Sequence, residues 1–160
     1  MNIRIYIIAT FFLVALDQII KAIVRATLTP LSYIEVIPNF IHLTYQENKG
    51  ISFSLLANIP AVIRVPLLAG ISTVVIIGLC YFILKNRDQL NRIEMWGFTL
   101  ILSGAIGNLI DRAFRQQVTD YMYFHFYDYS FFVNNLADDL ISIGFVLVLW
   151  QSFRKKEKLE

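Results

Sequence analysis

The sequence predicts a mainly α membrane protein: a four-transmembrane-helix bundle with a small extracytoplasmic β-rich insert and an interfacial loop or helix. Three observations predict it. The 160 residues are 57% hydrophobic and only 16% charged, with a mean hydropathy of +0.60, too apolar for an ordinary soluble domain. Four apolar stretches of spanning or near-spanning length recur along the chain. Between residues 104 and 138, acids and amides collect where membrane is expected. One integral membrane domain over 1–160 is the expected organisation.

A helix needs roughly 20 residues to cross the hydrocarbon core. The uncharged run 65–84, between Arg64 and Lys85, is sufficient by itself. Stretches 5–16, 95–110 and 140–153 reach that length only by taking in acids at one end: Asp17, Asp111, and Asp138 with Asp139. The predicted spans are 4–25, 62–84, 94–114 and 136–153. Arg4 ahead of the first apolar run imitates a secretory signal. Asp17 and Lys21 continue the helical pattern without a small-x-small cleavage site, so the run is expected to be retained.

Residues 27–58 hold Tyr33-Ile34-Glu35-Val36-Ile37 and Phe40-Ile41-His42-Leu43-Thr44-Tyr45, punctuated by Pro30 and Pro38. β-Branched and aromatic runs broken by proline predict a strand-rich insert. Residues 115–135 carry Tyr121, Tyr123, Phe124, Phe126, Tyr127, Tyr129, Phe131 and Phe132. Aromatic rings favour the headgroup level, so this segment is expected to lie on the bilayer as a loop or short helix and to cover a site beneath it. No internal repeat is visible, which argues against an inverted-repeat transporter.

Orientation follows from the basic residues. Arg87 and Arg92 lie between spans two and three, and Arg154, Lys155, Lys156 and Lys158 in the tail. These segments and the N-terminus are expected on the cytoplasmic side. Asp17, Asp111 and Asp138 then arrive from three helices at a similar outer depth. Ionisable groups in a membrane usually face a bundle interior or wet cavity; pairing helices is their plain structural alternative.

Several chemistries are excluded or disfavoured. A net charge of +2 gives no case for nucleic acid, and the single cysteine, Cys80, excludes an internal disulfide. His42 and His125 sit in no metal-ligand motif, and no metal or other cofactor is expected. No serine has a nucleophile motif. Gly104-x-x-Gly107 fits close helix packing, and Asn48-Lys49-Gly50 fits a simple hairpin turn. Asp17 and Lys21, four apart, share a helix face and suit a structural pair. Asp120 follows span three and Asp138 opens span four, so the outer segment can bring them together. Two poorly solvated carboxyls cannot both ionise cheaply, and such a pair can activate water and protonate a leaving amine. Asp128 and Asp139 compete for either role.

These motifs resemble those of the lipoprotein signal peptidases, or signal peptidase II, the membrane aspartyl peptidases of bacteria. The resemblance covers nearly the whole chain. It runs through Asp17-Gln18-Ile19-Ile20-Lys21, Asn48-Lys49-Gly50 with Phe53, the stretch from Gly104 to Arg112, Val118-Thr119-Asp120-Tyr121, and Asn135-Leu136-Ala137-Asp138. It implies that Asp120 and Asp138 are catalytic. It implies that Asn48, Gly50, Asn108, Arg112 and Asn135 bind substrate or support the dyad, and that Asp17, Lys21 and Asp111 form a structural polar layer. The implied partners are diacylglyceryl-modified prolipoproteins, cut just before the lipidated cysteine, and membrane lipids. The expected setting is a monomer in the bacterial cytoplasmic (inner) membrane, with its site near the extracytoplasmic face. Four positions depart from the family pattern. Thr119 and Tyr121 replace an apolar residue and Phe, while Asn134 and Asp139 replace Phe and a small residue. Asp139 is expected to turn away near the start of its helix, where the dipole favours negative charge. A proton or ion conductor and a non-catalytic assembly factor are the rival functions, and the Gly-x-Gly-Asp signature of presenilin-type proteases is missing.

Overall fold

A computed structural model describes residues 2–30, 32–50 and 59–156. In chain order the elements are α1 (Ile3–Thr27), β1 (Tyr33–Ile37), β2 (Ile41–Asn48), α2 (Ala61–Asn86), α3 (Arg92–Arg115), β3 (Val118–Phe126), β4 (Tyr129–Asn134) and α4 (Leu136–Lys156). Phe53, part of the second motif, lies outside the described residues, as does the rest of 51–58.

All four helices are long and apolar enough to cross a membrane. Their burial is inverted relative to a water-soluble bundle. Large apolar side chains such as Phe11, Phe12, Val62 and Val74 are exposed, whereas the largest fully buried side chains are Lys21, Asn135, Asp17, Asp111 and Ser103. That is the distribution expected when lipid is the solvent and ionisable groups face the bundle interior. Helix α3 lies at the centre, packed against α1, α2 and α4. Half of its apolar window is enclosed, against 6% for the peripheral α2.

The helix ends explain the chain's course. Asn91 caps α3 by accepting from Ile93 N and Glu94 N, and Glu94 accepts from Asn91 N in return, satisfying donors that a helix start leaves free. Lys155 of α4 pairs with Glu94 at 2.7 Å, so the tail lies beside the start of α3. Tyr6, Ile83, Met95 and Phe98 form the apolar core at this end. The polar residues gather towards the other end, Asp17 lying about 16 Å along α1 from Tyr6 at the ordinary helical rise.

At the polar end a four-stranded antiparallel sheet has the order β1-β2-β3-β4. This corrects the expectation for 115–135, which forms the hairpin β3–β4 rather than an interfacial loop or helix. Aromatic rings suit a half-buried pleated surface as well as a headgroup layer, and β2 supplies the neighbour that an isolated hairpin lacks. The register sets His42 opposite Tyr123 and Gln46 opposite Asp120. Gln116, at φ 64°, ends α3 in the left-handed region, its N–H donating to Arg112 O at 3.1 Å. The chain therefore turns from α3 into β3 within two residues.

Candidate active site

Helix α4 begins inside the bundle, and its first N–H groups draw the site together. Asn135 precedes the first helical residue, and its Oδ1 accepts from Asp138 N at 3.1 Å, as a helix-capping amide does. Leu136 N donates to Tyr121 Oη at 3.1 Å, and Ala137 N donates to Asp17 Oδ1 at 3.1 Å. The unmet donors of the helix start are thus answered from β3 and α1.

The other end of the Asn135 amide faces two acids. Its Nδ2 donates to Asp120 Oδ1 at 2.5 Å and to Asp138 Oδ2 at 3.1 Å. Asn48 Nδ2 donates to Asp120 Oδ2 at 3.0 Å, and Asn108 Nδ2 to Asp138 Oδ1 at 2.7 Å. Every carboxylate oxygen of the two acids therefore accepts from an amide. Asp120 is buried, and burial, followed by the charge of Asp138, pushes its carboxyl up to about 6 against the opposing bonds from Asn135 and Asn48. These are the environments that keep one proton on a carboxyl pair.

Beneath the acids lies an ion triad. Lys21 Nζ is 2.9 Å from Asp17 Oδ2 and 3.0 Å from Asp111 Oδ2, and donates to Asn108 Oδ1 at 3.1 Å. Asp111 Oδ2 also accepts from Thr119 N at 3.3 Å. The glycines of α3 make room for this packing: a Cβ on Gly107 would stand 2.6 Å from Asp17 Oδ2, and one on Gly104 would strike the Ala137 carbonyl oxygen.

The structure brings together Asp120, Asp138, Asn48, Asn108 and Asn135 directly, with Asp17, Lys21 and Asp111 below. Asn48 also accepts from Gly50 N at 3.0 Å, so a local turn and a reach to Asp120 coexist in one side chain. Gly50 O in turn accepts from Arg112 Nη2 at 3.3 Å. Asp128 does not join them; it is exposed at the β3–β4 turn, beyond the end of β3 at Phe126, itself about 20 Å along the strand from Asp120. Asp139 turns aside, accepting at 2.5 Å from Asn134 Nδ2.

Sequence reasoning did not single out Gln18 and Arg25. Gln18 Nε2 donates to Asp17 Oδ2 and to Gly107 O, each at 3.1 Å, and Arg25 donates to Thr119 Oγ1 at 3.0 Å. Arg25 was findable, since residues 17, 21 and 25 recur at helical spacing. Among the described residues, no group of three or more His, Cys, Asp and Glu side chains is arranged to hold a metal ion.

Comparison with known proteins decides the family. The family model for signal peptidase (SPase) II matches residues 9–154. The chain belongs to the signal peptidase II family. A lipoprotein signal peptidase of Solibacter usitatus (strain Ellin6076) is 33% identical over 144 residues, covering 90% of this chain and 87% of the relative. Two bacterial membrane enzymes solved by the in meso method share the fold. The first, at 2.3 Å resolution, has a TM-score of 0.87 and 27% identity over 99% of this chain and 93% of its own. The second, at 1.9 Å, has a TM-score of 0.81 and 29% identity over 94% and 93%. This signal peptidase II family member is therefore a multi-pass bacterial membrane protein. Thr119, Tyr121 and Asn134 each have a partner: Arg25, Leu136 N and Asp139 in turn.

Proposed function

We propose that this protein is a monomeric membrane aspartyl endopeptidase that removes the signal peptide from diacylglyceryl-modified prolipoproteins, cutting just before the lipidated cysteine. The observation that carries it is the single Asn135 amide donating to both Asp120 and Asp138. Two acceptors on one amide nitrogen lie within about 5 Å of each other, near enough for the charge of one carboxyl to oppose ionisation of the other.

In this mechanism Asp138 is the ionised partner and Asp120 the protonated one. Water attacks the scissile carbonyl carbon and gives its proton to Asp138. The tetrahedral intermediate collapses as the peptide C–N bond breaks, and the leaving amine takes its proton from Asp120. Neither step needs a cofactor. Arg112 donates to Gly50 O and Asn108 O, while its buried Nε has no hydrogen-bond partner among the described residues. The bond to Gly50 O ties α3 to the turn after Asn48, which suits a role in supporting the dyad. Basic residues at the opposite end favour a cytoplasmic position for both termini, which supports a dyad near the extracytoplasmic face of the cytoplasmic (inner) membrane. A substrate anchored by its lipid would then arrive from within the bilayer.

The test is cleavage by purified protein of a lipobox peptide with a diacylglyceryl cysteine, beside the same peptide without lipid. A cut at the bond before the modified cysteine, strongly reduced without the lipid, is expected. Ion flux in liposomes with no cleavage of either peptide would overturn the proposal.

A further inference from the structure

Two peptide N–H groups in the site occupy equivalent places. Ala137 N, one residue before Asp138, donates to Asp17 Oδ1 at 3.1 Å. Thr119 N, one residue before Asp120, donates to Asp111 Oδ2 at 3.3 Å. Both carboxylates belong to the buried ion triad, and Lys21 joins them. An ammonium has three donors, and Lys21 directs them to Asp17, Asp111 and Asn108 Oδ1. Asn108, so oriented, presents Nδ2 to Asp138 Oδ1. Asp17, Lys21 and Asp111 are each 0% exposed, so water does not compete for these bonds. Ions that merely glued α1 to α3 would need neither backbone amide.

We propose that the Asp17–Lys21–Asp111 triad is a positioning device that sets the separation of the Asp120 and Asp138 carboxyls by holding the backbone one residue ahead of each. The proposal rests on the peptidase function above. It makes the three residues positioning rather than catalytic groups, since none touches the reacting atoms. Displacement of a reacting group by about 1 Å is enough to lose about a hundredfold in rate, so a rigid spacer under the dyad acts on kcat.

Asp111→Ala and Asp111→Asn separate this role from charge. Both remove one negative charge, but asparagine can leave an oxygen where Asp111 Oδ2 accepts from Lys21 and Thr119. The other charged groups around the dyad, Asp17, Lys21 and Arg25 on α1, Arg112 on α3 and Asp139 on α4, stay in place in both. With the lipidated peptide, Asp111→Ala is expected to lose about a hundredfold in kcat, with KM changing by less than about threefold. Carboxyls free to move apart couple less, so the two limbs of its kcat/KM profile against pH should move towards each other. Asp111→Asn should recover most of the lost kcat and restore the limbs. Asp17→Ala opens the other grip and should show the same convergence.

A protein merely weakened by Asp111→Ala loses active fraction with unmoved limbs. That result, or Asp111→Asn performing no better than Asp111→Ala, overturns the inference. Neither touches the peptidase reading, which is tested separately by cleavage of the lipidated peptide and by the Asp120 and Asp138 variants. Amide hydrogen exchange on the unmodified protein needs no variant. The Thr119 and Ala137 amides should be among the slowest in the chain, and exchange of either at the rate of exposed loop amides would also overturn the inference.

Discussion

Asn134 donates through Nδ2 to Asp139 Oδ1, so the residue ahead of Asn135 is bonded to the residue after Asp138. The bond takes an extra acid beside Asp138 and turns it to the strand that leads into α4. Asp139→Ala would leave a half-buried amide without this partner, at a cost on the order of 1 to 2 kcal/mol. The double variant Asn134→Phe with Asp139→Ala should cost less than the sum of the two single variants, the difference being their coupling. Thermal unfolding in detergent measures all three. Cleavage by Asp139→Ala should stay within a few-fold of the parent, as its carboxylate is not bonded into the dyad.

Asn135 has two tasks that substitution can weigh together. Asn135→Ala removes the cap of α4, for about 1 kcal/mol of stability, and also the amide that bridges the two acids. Asn135→Ser restores a capping oxygen without the bridging amide. Recovery of melting temperature without recovery of kcat is the expected result for Asn135→Ser.

Buried Asp120, pushed up to about 6, predicts how stability changes with pH. Its unfolded value is near 3.8, so between about pH 4 and 6 the folded state binds the extra proton. Stability is then greatest below the unfolded value and declines as pH rises through the folded one, by at most about 3 kcal/mol from this group. Asp120→Asn cannot titrate there, so its unfolding midpoint should decline less over that interval. Parallel melts at pH 4 and pH 6.5 check this.

Gly107 stands against α1 where a methyl group would meet Asp17 Oδ2. Gly107→Ala must push the carboxylate away or separate two helices, and Asp17 holds both Lys21 and Ala137 N. A loss of at least about tenfold in kcat is expected, as a displaced α4 start carries Asp138 with it. Gly78 has open space around it, and Gly78→Ala serves as the neutral control.

The helices were legible because long apolar runs bounded by charge have few other uses. Asp17 and Lys21 were legible as a pair because spacing by four places them on one face. That Asp111 completes the triad could not be read from spacing, since it comes from a helix 90 residues away. The hairpin of β3 (Val118–Phe126) and β4 (Tyr129–Asn134) was not legible because its aromatic rings satisfy two environments, a headgroup layer and a strand face, and only the presence of β2 decides between them. The partners of Thr119 and Tyr121 lie on other elements and are apparent only in three dimensions.

Turnover of the diacylated lipobox peptide by Asp120→Asn and Asp138→Asn, each shown to be folded by its melting curve, tests the shared-proton dyad most directly. Both variants should lose about 10²- to 10⁴-fold in kcat, with substrate still bound. Parent-like turnover by either one would contradict the account.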